Sequence, residues 1–173
     1  MVVPSVAQQL AAVRHTIAKT IVPALAADAD FEREQAGLVL ASLDWAMDVV
    51  DSEYRYERVE HEDYRALLDA LLEADPDGRA PELRAVQNAA GAPPGDLPGL
   101  RAQTRALKLA ADATLTSLGA RDEAAAATAR ALISEVARRQ TERELAWARM
   151  TGFPKHARAV ADVLAEQASP PGA

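Results

Sequence analysis

Residues 31–58 constrain this chain more than any other stretch, because they read as one long helix with two apolar faces. A helix turns about 100° per residue, so spacings of three and four mark a single face. Ala36, Leu40, Leu43, Met47, Val50 and Tyr54 share one face, an ordinary core stripe. Phe31, Leu38, Trp45, Val49 and Tyr56 share another, roughly opposite, and an acidic wedge of Asp44, Asp48 and Asp51 lies between them. A helix at the rim of a small bundle needs one apolar face. Fully burying each large apolar side chain is worth roughly 1.5–3 kcal/mol, so the second face requires a cover. The C-terminal helix, a second copy of the chain and a ligand are the three covers available. Self-association is the reading adopted, which makes Phe31, Leu38, Trp45, Val49 and Tyr56 a candidate homodimer face.

The rest of the chain is helical by the same test. Val6, Leu10, Val13, Ile17 and Ile21 form a stripe that opens at Ser5, a good N-cap, and meets Pro23, which kinks or ends it. Asp28 or Asp30 is placed to cap the long helix. The charge-rich run from Glu57 to Asp63 suggests a bend, and Tyr64, Leu67, Leu68, Leu71 and Leu72 follow on one side of a shorter helix. Leu100, Thr104, Leu107, Ala111, Thr114 and Leu118 give a third long stripe, with Gly119 in the position expected of a C-cap. Ala125, Ala129, Leu132, Val136, Gln140, Arg143, Trp147 and Met150 give the fourth.

These stripes predict an all-α protein, an antiparallel up-down-up-down four-helix bundle with a long helical crossover and a C-terminal extra helix. Long helices are expected at about 5–26, 30–58, 99–118 and 122–150, and short ones at about 62–74, 81–90 and 154–167. A single domain spans 1–168, and 169–173 is a flexible tail.

The fourth stripe carries an anomaly, since Gln140 and Arg143 stand where apolar residues are expected. A buried arginine requires a carboxylate and further hydrogen bonds. Parallel second and fourth helices put Asp48 and Asp51 at about the level of Arg143, which predicts an Asp48–Arg143 or Asp51–Arg143 pair. Asp48, Asp51, Tyr54, His61, Gln140 and Arg143, with Trp147 and His156 near the same end, then define a candidate polar pocket for a small anion or acyl-type ligand. The plainer reading of the same residues is a structural ion pair with rim residues around it.

Composition narrows the function further. The chain has 173 residues, 49% of them apolar, only 4% aromatic, and alanine is the commonest. With no cysteine, thiol catalysis, disulfides and cysteine-ligated metals are excluded. The net charge of −7 argues against nucleic acid, which demands a surplus of cations on one face. No apolar run approaches the roughly 20 residues of a membrane span, and no secretory signal is read, so a cytoplasmic location is expected. None of the three histidines lies three residues after a glutamate, the spacing of di-iron bundles. No metal and no cofactor are therefore expected, and His15 lies on the outer face of its helix. Gly-rich phosphate loops and nucleophile elbows are absent from the sequence. The expected function is a non-enzymatic, self-associating module, with a partner protein as a further possible contact. The alternative is a small-molecule-binding protein or minor enzyme that uses the polar pocket.

Overall fold

The computed structural model describes residues 3–74, 86, 88, 91–120, 123–152 and 156–168. The protein is all-helical, with no strand among the described residues. Helix α1 (Val6–Thr16) continues through a π-helical turn (Ile17–Ile21) into a last helical turn (Val22–Ala24). Helix α2 (Asp30–Val49) is followed by a 3-10 turn (Val50–Ser52), α3 (Glu53–Ala74), α4 (Leu97–Gly119) and α5 (Glu123–Trp147). A second 3-10 turn (Arg149–Thr151) and α6 (Val160–Gln167) complete the order. The expected helix at 81–90 falls almost wholly outside the described residues, as does the tail. Among the described residues no helix is long and apolar enough to cross a membrane.

The chain groups into two compact units. The first comprises Met1–Glu53 and Glu144–Val163, the second Tyr54–Arg143 and Leu164–Ala173.

In the first unit, α1 and α2 form an αα-hairpin. Ser5 caps α1 through a capping box: its hydroxyl accepts from the Gln8 amide at 3.2 Å, and its own amide donates to Gln8 Oε1 at 2.8 Å. Pro23 does not end the helix. It has no N–H to offer the Lys19 carbonyl, and the turn before it widens so that the Val22 amide donates to the Ile17 carbonyl five residues back. The hairpin turn is closed by Arg33, which donates to the carbonyls of Leu25 and Ala26 at 3.1 and 3.0 Å. Neither Asp28 nor Asp30 caps α2, whose N-cap is Ala29 with no side-chain bond. The acidic wedge is what the hairpin is tied by. Asp44 on α2 takes the guanidinium of Arg14 on α1 in a two-point pair, the Nη2 contact at 3.0 Å. Asp48 takes Arg149 from the second 3-10 turn in the same way, its Nε contact at 2.7 Å. Arg14 holds the Asp44 carboxyl below its ordinary pKa, chiefly through that hydrogen bond.

The long helix expected over 31–58 is interrupted at Val50–Ser52, ahead of the bend suggested at 57–63. Val49, Val50, Asp51 and Ser52 place four poor helix formers in a row, a weak point with no Pro or Gly to announce it. The charged run beyond stays helical because its acids find cations in the second unit. Glu57 pairs with Arg101 at 3.0 Å, Glu60 with Lys108 at 2.8 Å and Asp63 with Arg139 at 2.9 Å.

The second unit holds a dense core. Leu67, Leu71, Ala111, Leu118, Ala129 and Val136 pack together, with Leu115, Leu132 and Ile133 against them. Leu68, Leu107 and Ala110 form a second cluster. All six residues of the stripe from Leu100 to Leu118 are buried. Its two threonines tolerate this because Thr104 and Thr114 return their hydroxyls to the carbonyls four residues back, at 3.0 and 2.8 Å. Helix α4 starts two residues earlier than expected, at an Asp96 cap that accepts from the Gly99 amide at 2.8 Å. A Cβ on Gly99 would meet that carboxylate at 3.0 Å, so glycine lets the cap close. At the other end Gly119 is the last helical residue, and Ala120, in right-handed helical conformation, carries the terminal bonds.

Leu68 is fully buried and Leu109, two residues on from the Leu107 core position and so on the other side of α4, is 72% exposed. Leu68→Ala is expected to destabilise the protein by about 2–5 kcal/mol, and Leu109→Ala by less than about 0.5 kcal/mol. Urea unfolding followed by helicity checks this, and equal losses would refute the facing of these helices.

Candidate functional site

The six residues expected to form a polar pocket are divided between the two units. Asp48 and Asp51 belong to the first unit, the other four to the second. Asp48 is occupied by Arg149, and Asp51 is exposed in the 3-10 turn. Tyr54 donates its hydroxyl to the Pro94 carbonyl at 2.7 Å. Gln140 accepts from the Tyr64 hydroxyl at 2.9 Å, which accounts for an amide on that stripe. The predicted pairing of Arg143 with Asp48 or Asp51 is replaced by one with Asp63. The physical reason is the straight course of α3 through the charged run, which carries Asp63 alongside α5.

Arg143 is completely buried, and its surroundings are built for a cation. Its Nη1 donates to Asp63 Oδ2 and to Gln167 Oε1, each at 2.6 Å. The Tyr56 ring lies 5.8 Å from its guanidinium carbon, within cation–π range. Asp63 also accepts from Arg139 Nε at 2.9 Å through its other oxygen. Gln167 of α6 completes the network, accepting Arg139 Nη2 on its carbonyl at 2.7 Å and donating its amide to the Arg139 carbonyl and to Glu142 Oε2, both at 3.1 Å. One carboxylate thus serves two arginines, and the network fastens the end of α6 to α5. Arg143 and Gln140 both have partners inside the second unit.

His61 is also buried, 1% exposed, with Nε2 3.1 Å from Gln103 Oε1. Because an amide oxygen only accepts, Nε2 carries the proton and Nδ1 is bare; no hydrogen-bond partner for Nδ1 stands among the described residues. Burial lowers the pKa of this imidazole, the Gln103 bond opposes that, and Arg65 adds to the lowering. Beside it Glu60 is buried with Lys108, whose ammonium sits 5.2 Å from the Tyr64 ring centre.

The dimer-face residues divide. Phe31 and Leu38 are exposed at 68% and 58%. Trp45 is half-buried and donates its indole N–H to the Trp147 carbonyl at 3.0 Å. Val49 is buried, and Tyr56 lies against Arg143. Only the leading end of that stripe is open.

Sequence reasoning missed a cavity of about 470 Å³ in the second unit, between α3 and α5 and closed by Gln167 and Ala168. Ala66, Ala70 and Ala131 form its walls, Leu67, Leu132 and Val136 its floor. Alanines at helical spacing read as close packing, and nothing in the pattern distinguishes a contact from a gap. Among the described residues no three histidine or acidic side chains gather as a metal-binding group. No protein-family model, curated protein or solved structure shows a significant match to the chain.

Two outcomes are expected. Asp63→Ala leaves two arginines without their carboxylate and should cost roughly 3–5 kcal/mol, whereas Asp51→Ala should change stability by less than about 0.5 kcal/mol; the reverse order in urea unfolding would restore the pairing with Asp51. His61 in the unfolded chain takes up a proton near its usual value of about 6.5, while the buried imidazole resists. The unfolded state therefore binds more protons, and stability should fall as pH drops from 7.5 towards 5.5. His61→Gln should flatten that fall in thermal melts, and an unchanged profile would sink the assignment.

Proposed function

We propose that the chain is a non-enzymatic helical interaction module that forms a homodimer through the α1–α2 hairpin of its first unit. The exposed apolar surface of that hairpin carries the reading. Helix α1 buries no residue at all, and α2 buries only Val49. Val6 and Val13 stand open seven residues apart on α1, and Phe31 and Leu38 stand open seven apart on α2. Ile21 and Val39 extend the exposed set. Seven-residue spacing is the register in which helices interlock side by side. A two-helix hairpin is a single layer, so it can cover one stripe of each helix and no more. A second copy arriving across a two-fold axis presents the same stripes and makes a four-helix layer. The up-down-up-down bundle with a helical crossover expected from the sequence belongs to this proposal as its finer architecture.

A second copy is favoured over an unrelated protein because the stripes are self-complementary in length and character. Two acids of α2 are already matched inside the first unit, Asp44 by Arg14 of α1 and Asp48 by Arg149 of the second 3-10 turn. The open positions at Val6, Val13, Phe31 and Leu38 are apolar.

Sedimentation equilibrium across micromolar concentrations tests this. The wild-type chain should be a dimer, and Phe31→Glu with Leu38→Glu a folded monomer of unchanged helicity. A wild-type chain that is monomeric throughout, or a double variant that still dimerises, overturns the proposal. Trp45 is not a suitable probe, because its indole bond to Trp147 ties the first unit internally.

A further inference from the structure

We infer that the cavity between α3 and α5 is a binding site for a small cationic amphiphile, an unbranched apolar chain bearing an ammonium head. The inference is independent of self-association, since it concerns the second unit alone.

The shape comes from the alanines. Ala66 and Ala70 are one helical turn apart on α3, and Ala131 faces them from α5. With Leu67, Leu132 and Val136 they make most of the lining apolar and small, which leaves the space open. A volume of about 470 Å³ is that of a small-molecule site. The eight residue steps from Glu62 to Ala70 rise about 12 Å along α3, which is the reach of an octyl chain.

The charge comes from the rim. Three carboxylates line the cavity, Glu62, Asp63 and Glu135, against one guanidinium, Arg139. Asp63 and Arg139 are bound to each other and to the buried network, so neither is available to a ligand without dismantling it. Glu62 on α3 and Glu135 on α5 remain, with side chains 48% and 60% exposed. Their cations, Arg58 at 3.4 Å and Arg138 at 2.7 Å, belong to the same helices and are not part of the lining. Exposed pairs of this kind contribute little and exchange readily. An ammonium group at the mouth meets two carboxylates, whereas an anionic head meets them as repulsion.

Isothermal titration of the full chain with octylammonium chloride and with sodium octanoate tests both shape and charge. Octylammonium should bind at one saturable site, at least tenfold tighter than octanoate. Glu62→Gln with Glu135→Gln, both at exposed positions, should remove that tenfold preference. Ala66→Leu, which fills the channel from an exposed position on α3, should abolish binding with helicity intact, and Ala131→Leu provides the same test from α5. Octanoate binding as tightly as octylammonium overturns the assignment of the head group. Absence of saturable binding overturns the site, and so does binding that survives both leucine variants but is lost in the Phe31→Glu, Leu38→Glu chain, since the hairpin would then be the receptor.

Discussion

The second unit depends on a single carboxylate. Asp63 holds Arg139 with one oxygen and Arg143 with the other, and Arg143 is wholly buried. A cation removed from water is tolerated only where a counter-charge and donors' acceptors are already in place. For Arg143 Nη1 they come from α3 through Asp63 and from α6 through Gln167, while its Nε and Nη2 have no hydrogen-bond partner among the described residues. The consequence is positional. Two turns of α5 are fixed against α3 in one register, and the short α6, only eight residues long, is held by the Gln167 bonds as well as by burial of Leu164. The leucine core fills around that register and would not by itself specify it, because apolar contacts are not directional.

The two units are stabilised in different ways. In the second, Leu67, Leu68, Leu71, Leu100, Leu107 and Leu118 are all within a few per cent of complete burial. In the first, the described apolar residues that are buried are Val49, Ala146, Val160 and Val163, and the rest of the hairpin is held by two-point arginine–aspartate pairs and by the Trp45 indole bond. Such pairs set geometry and add modestly to stability when half-exposed. A helical hairpin so poor in buried side chains and so rich in exposed ones is incomplete as a folding unit, which is the physical ground for assigning it a second copy.

Legibility in the sequence follows the same division. The stripe from Leu100 to Leu118 was readable to the residue, because a helix packed on one side shows its period directly. The stripe from Val6 to Ile21 has the same period, yet its members stay open or half-open, since periodicity reports which residues share a face and not whether anything covers it. Arg143 stood out as a charge on an apolar stripe, but its partner did not, because Asp63 lay in a run that looked like a bend and was in fact a straight helix sustained by cations from α4 and α5. The interruption at Val50–Ser52 carried no proline or glycine and left only weak helix formers as a trace. The cavity left no trace at all.

Alanine underlies both candidate surfaces. It is the best helix former and lets helices approach closely, so a chain in which it is the commonest residue becomes helical almost throughout. Burying a methyl group contributes far less than burying a leucine, however, and large side chains are then too few to fill every interhelical space. Where leucines cluster, as between α3 and α4, a core results. Where alanines line two neighbouring helices, as Ala66 and Ala70 on α3 and Ala131 on α5, a cavity is left. Where large apolar residues have no facing helix, as at Phe31 and Leu38, an exposed apolar stripe results. An uneven distribution of bulk along helices of nearly uniform propensity thus leaves both a lined cavity in the second unit and an open stripe in the first.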